Sequence, residues 1–151
     1  MSGPLALVEL VAKVDRAFDG GLASQLQWLE DAAAALEVAE LGDDGRAAAL
    51  DLRAALGAVV LFSRDASNAR DPKALLELEA VVRAHTARGL LTLYRAVAAG
   101  LHELAQEKGP SRAQVNELAL AFDALVKGQE RGEAPSAAAL RRLEEVRASL
   151  R

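Results

Sequence analysis

The chain has 151 residues, a formal net charge of −4 from 18 basic and 22 acidic side chains, and no cysteine; 52% of it is hydrophobic but only 3% aromatic. That length suits one domain burying roughly two-thirds of the surface of its unfolded chain, and the lack of cysteine excludes disulfides, thiolate metal sites and a cysteine nucleophile. A core of Ala, Leu and Val favours helices over sheets, and there is neither a basic field nor an aromatic platform for nucleic acid.

The N-terminal stretch has no basic region ahead of its apolar run, and Glu9 interrupts that run, which argues against a secretory signal. No apolar stretch reaches the roughly 18 residues that a membrane span requires. The expectation is a cytoplasmic protein without membrane insertion.

A first helix is expected over 4–18, with Leu7, Val8, Val11, Val14 and Phe18 on one face and Gly20-Gly21 ending it. A second covers 22–41, with Leu22, Leu26, Leu29, Ala33 and Leu36 as its stripe and Trp28 on the flank as a core or boundary residue. Gly42-Asp43-Asp44-Gly45 reads as a solvated turn, because the alternating oxygen ligands of a calcium loop do not follow. A third helix, 46–68, has a wide apolar face of Leu50, Leu52, Leu56, Val59, Val60 and Phe62, and Gly57 suits close approach of a neighbouring backbone. Ser67 and Asn68 mark the next loop.

The longest helical pattern runs over 72–108, about 55 Å at the rise of an α-helix. Asp71 is placed to cap it, Pro72 suits its first position, and Gly109-Pro110 stops it. Leu75, Leu78, Val82, Gly89, Leu93, Val97 and Leu104 form one stripe, widened by Leu76, Leu90, Tyr94 and Leu101. Gly89 and Gly100 each weaken the helix by about 1 kcal/mol relative to Ala, which points to a bend near Gly100. The remaining polar window carries Glu77, His85, Arg88, Thr92, Arg95, His102 and Glu103.

Ser111 is placed to cap a helix over 112–127 with Val115, Leu118, Phe122 and Leu125 inward and Gly128 closing it. Residues 129–135 read as a mobile linker. A last helix follows Ser136 with Leu140, Leu143, Val146 and Leu150 on one side, open to packing on the bundle or on another chain. Short connections between helices give antiparallel neighbours, so the expected fold is all-α: an up-and-down bundle of about six helices with a four-helix core. Its domain is expected over 1–128, followed by the linker and C-terminal helix over 129–151.

Phosphate loops, nucleophile elbows and HExxH are absent, so no cofactor is implied. No metal site is implied either. His85 and His102 lie on one helix about 25 Å apart, too far to share an ion. The positions three before them are Val82 and Ala99, not the glutamates of a di-iron bundle.

The run AHTARG places Arg88 and Gly89 one turn beyond His85. A histidine that accepts a phosphoryl group needs an accessible ring, a nearby cation for the phosphoryl oxygens and a small next turn for an approaching partner. His85, Arg88 and Gly89 meet those needs in order. The run resembles the His-x-x-Lys-Gly signature of histidine phosphotransfer domains, which are four-helix bundles. The resemblance covers about 71–128 and extends back to 22. It implies that His85 is the phospho-acceptor, with Arg88 and Gly89 as phosphoryl support in the places of the family's lysine and glycine. Thr92, Arg95 and His102 then form a partner-docking face, and the partners are a histidine kinase and a receiver domain. The chain departs from the pattern at Arg88, at Leu90 and Leu91 (where the family has small or polar residues), and in the extra helix 46–68.

Two functions stay open. One is a phosphorelay protein carrying a phosphoryl group on His85 to a response regulator. The other is a non-catalytic helical-bundle adaptor, including a pseudo-phosphotransfer domain that binds partners without the chemistry. A homodimer is compatible with either, and the exposure of His85 separates them.

Overall fold

The computed structural model describes residues 3–66, 71–107 and 109–150. They form seven α-helices and no strand: α1 (Gly3–Ala12), α2 (Val14–Asp19), α3 (Leu22–Ala39), α4 (Gly42–Ala66), α5 (Pro72–Ala105), α6 (Arg112–Glu130) and α7 (Ala137–Ser149). The fold is the expected all-α bundle. The helix ends expected at Asn68 and Lys108, and the loop signal at Ser67, fall outside the described residues.

The helix expected over 4–18 is broken in two at Lys13 (φ −106°, ψ 9°). The amide of Lys13 bonds the Leu10 carbonyl at 3.1 Å, and the indole Nε1 of Trp28 donates to the same oxygen at 2.8 Å. That second donor occupies the acceptor on which the amide of Val14 would continue the α-helical ladder. Phe18 of α2 then turns back edge-on to Trp28, ring centres 5.7 Å apart.

α4 begins at Gly42, not Arg46, so the expected four-residue turn is shorter. The reversal is made by Glu40 and Gly42, with φ of 55° and 70°. Asp43 and Asp44 lie in the first turn of α4, where the helix dipole favours carboxylates. α5 starts as expected: Asp71 accepts from the Lys73 amide at 3.1 Å and Pro72 opens the helix. It runs on past Gly100 as one helix. That glycine leaves room for Leu41 and Pro4, whose atoms would lie 2.8 and 3.3 Å from an added Cβ. α6 continues past Gly128 to Glu130, and the left-handed residue that follows is Gly132 (φ 76°).

Contacts between helices run α3–α4–α5–α6–α7–α1 and back to α3, with α1 also touching α5. The bundle is thus two four-helix units, α1-α3-α4-α5 and α1-α5-α6-α7, sharing α1 and α5. Leu7, Val8 and Val11 of α1 are fully buried because helices pack on several sides of it. α7 belongs to the same core: Leu140, Leu143 and Val146 are buried, Arg147 reaches the Leu5 carbonyl, and Arg142 bonds Glu117 of α6. The stretch ahead of α7, expected as a linker, is tied down by the Glu133 amide on the Gly128 carbonyl at 2.8 Å. Among the described residues no helix is long and apolar enough to cross a membrane.

Candidate functional site

The polar window of α5 is the strip between its contacts with α4 and with α6. His85 is exposed there and makes no hydrogen bond or ion pair. Its ring lines a shallow groove of about 350 Å³ between α4 and α5, beside Ala54, Leu61, Leu78 and Val81. Arg88 is 75% exposed, and its guanidinium Nε lies 3.6 Å from Oδ1 of Asp51 on α4. Nothing along the chain places Asp51 beside Arg88; the packing of α4 on α5 does. Its carboxylate takes up part of the charge that a phosphoryl group would need from Arg88 and repels such a group in turn.

Gly89 faces α4, not the space beside His85. A Cβ there would lie 3.2 Å from Leu52 Cδ2 and 3.3 Å from the Asp51 carbonyl. The glycine lets two helix backbones come close, and Leu90, which departs from the phosphotransfer signature, is itself buried. Thr92 turns its hydroxyl back to the Arg88 and Gly89 carbonyls at 3.1 Å. Arg95 is paired with Glu130 of α6 at 3.4 Å, and His102 Nε2 lies 2.8 Å from Oδ2 of Asp123 on α6. The structure therefore sets His85 and Arg88 beside α4, while Thr92 bonds back onto α5 itself. It turns Arg95, nearly three helical turns beyond His85, and His102, nearly five turns beyond, toward α6. Among the described residues no three His, Asp or Glu side chains gather as metal ligands.

A second concave feature opens on the other side of α5. The end of α2, the start of α3, the α4–α5 pair and the α6–α7 connection enclose a cleft of about 550 Å³. Phe18, Leu22, Phe62, Val82, Leu90 and Pro135 make it apolar, and Glu79 and Arg83 stand at its border without an ion-pair partner. Thr86, 8% exposed, borders it with a hydroxyl that has no hydrogen-bond partner. The cleft joins segments more than a hundred residues apart in sequence, so helical periodicity carried no sign of it. The one local hint was Gly20-Gly21, which separates Phe18 from Leu22. Comparison with known proteins returned no matching family model, no matching curated protein and no matching solved structure.

Proposed function

We propose that this chain is a non-catalytic, cytoplasmic helical-bundle adaptor that takes an apolar segment of a partner protein into the cleft beside α5. The observation that carries the reading is the cleft itself: about 550 Å³, open, apolar and bordered by an unpaired Glu79 and Arg83. Concave apolar surface with a few polar groups at its edge is what a protein-recognition groove presents. A photo-crosslinking side chain at Leu22, which is 39% exposed, traps the partner in cells, and the captured protein is then purified and titrated. Leu22→Glu is expected to weaken that purified complex by about tenfold or more while leaving helicity unchanged. Full-strength binding by the variant would sink the reading.

A second reading is favoured by one observation, the exposed and unpartnered ring of His85 with Arg88 one turn on. In it the chain is a histidine phosphotransfer domain of a two-component phosphorelay. A histidine kinase or phosphorylated receiver passes its phosphoryl group to His85, and a receiver aspartate takes it onward. His85→Gln then abolishes labelling by the cognate kinase with the fold intact. Label that survives on the variant removes His85 from the role.

A further inference from the structure

α4 packs mainly on α3 and α5, and the rest of its surface is left open, with Ala54, Gly57 and Leu61 also bordering the groove beside His85. Ala47, Leu50, Ala54, Gly57 and Leu61 stand on that surface and are all exposed, Leu50 by 69% and Leu61 by 53%. Their spacing alternates three and four residues, which is the a/d repeat of a coiled coil. The fold does not use this seam. α4 turns a different stripe inward, with Ala48, Leu52, Ala55 and Val59 buried. A helix with one apolar stripe in the core and a second, heptad-spaced stripe in solvent has two partners to satisfy, and the chain supplies one.

The charges beside the seam select a partner and an orientation. In a parallel pair, a g position of one helix faces the following e position of the other. With Leu50 at d, Arg46 is a g position and Asp51 the following e position, so two copies set Arg46 against Asp51 twice. An antiparallel pair centred on the same residues sets Asp44 opposite Asp65, like against like. In the single chain Arg46 pairs with the highly exposed Asp43, and Asp51 lies 3.6 Å from the exposed Arg88 of α5; such surface contacts give way cheaply. Gly57 also leaves room, since a Cβ there meets nothing within 4 Å of its own chain. We infer that α4 pairs in parallel with α4 of a second copy of this chain, through Ala47, Leu50, Ala54, Gly57 and Leu61. None of these residues lines the cleft, so the dimer stands independently of the adaptor reading.

The seam spans little more than two heptads, so the dissociation constant is expected on the order of tens of micromolar. Sedimentation of the full chain over roughly 10–500 µM is expected to move from the 15.9 kDa monomer to twice that mass. Leu50 and Leu61 are more than half exposed, so a Leu50→Glu/Leu61→Glu variant keeps its helical spectrum and thermal midpoint when dilute. Its dimerisation is expected to weaken by about 100-fold. The chain has no cysteine, which makes orientation readable. Leu50→Cys alone and Leu61→Cys alone each form a covalent dimer under mild oxidation if the pair is parallel. A chain that stays monomeric at every concentration overturns the inference, as does a double-Glu variant that still dimerises. Cross-linking only when the two cysteine variants are mixed overturns the parallel arrangement.

Discussion

Tyr94 is the largest fully buried side chain, packed edge-on to Phe122 of α6 with ring centres 6.3 Å apart, and its hydroxyl has no hydrogen-bond partner. An unsatisfied buried hydroxyl costs about 1–3 kcal/mol, so Tyr94→Phe is expected to raise stability by about 1 kcal/mol in urea unfolding. Burial also pushes the phenol above its ordinary value of 10.0. The unfolded chain therefore ionises at this tyrosine above that pH while the folded chain stays neutral. The folded state has its full advantage below pH 10.0 and loses it as pH rises, by up to about 1.4 kcal/mol per pH unit. The gap between wild type and Tyr94→Phe should accordingly widen on going from roughly pH 9 to 11; a constant gap would mean that the phenol ionises in the folded chain. Trp28 is the opposite case, a buried aromatic whose polar atom is satisfied by the Leu10 carbonyl. Trp28→Phe keeps a ring against Phe18 and removes that donor, with an expected loss of about 1–2 kcal/mol read from the same urea titration.

Two glycines in the α4–α5 pair show why a helix cannot be judged by propensity alone. Both sit in helix interiors, where replacement by Ala gains about 1 kcal/mol when nothing else changes. Gly57 has open space around an added Cβ, so Gly57→Ala is expected to stabilise the dilute monomer by about that amount. Gly89 has the Asp51 carbonyl and Leu52 at 3.2–3.5 Å. The backbone oxygen is fixed by the α4 ladder and cannot yield. Gly89→Ala is therefore expected to lower the thermal midpoint, and Gly89→Leu to cost about 2–3 kcal/mol. A gain from Gly89→Ala would mean that α4 can move aside, and would return the residue to a docking role beside His85. The sequence reading assigned the two roles the other way round, close approach to Gly57 and partner access to Gly89. It had no means of knowing on which side of each helix its neighbour would lie.

At the scale of the molecule, the ring of helices closed through α1 makes one core. Leu143 of α7 is 1% exposed, and Leu143→Ala is expected to cost about 2–4 kcal/mol. Helical signal and the fluorescence of Trp28, the chain's single tryptophan, should fall together in one transition shifted to lower denaturant. Helical signal lost ahead of the fluorescence would show α7 melting by itself, as the reading of 129–151 as a separate segment implied.

Helical class, the long central helix with its Asp71 cap, and most of the inward stripes of α3, α5 and α6 were legible along the chain, Leu22 and Leu76 being the stripe members that the fold leaves exposed. They rest on periodicity and capping, which are properties of residues three or four apart. The break at Lys13 was not, because its cause is a tryptophan on another helix. Nor were the tie of Arg88 to Asp51, the packing role of Gly89 or the apolar cleft, each of which depends on which helices become neighbours. The sequence by itself determined that these residues form amphipathic helices with a narrow polar window on α5. Only the tertiary structure decided that His85 is left exposed and unpaired in that window, and that α4 turns one apolar stripe to the core and a second to solvent. Local spacing sets which residues share a helix face, but packing of distant segments sets what each face meets.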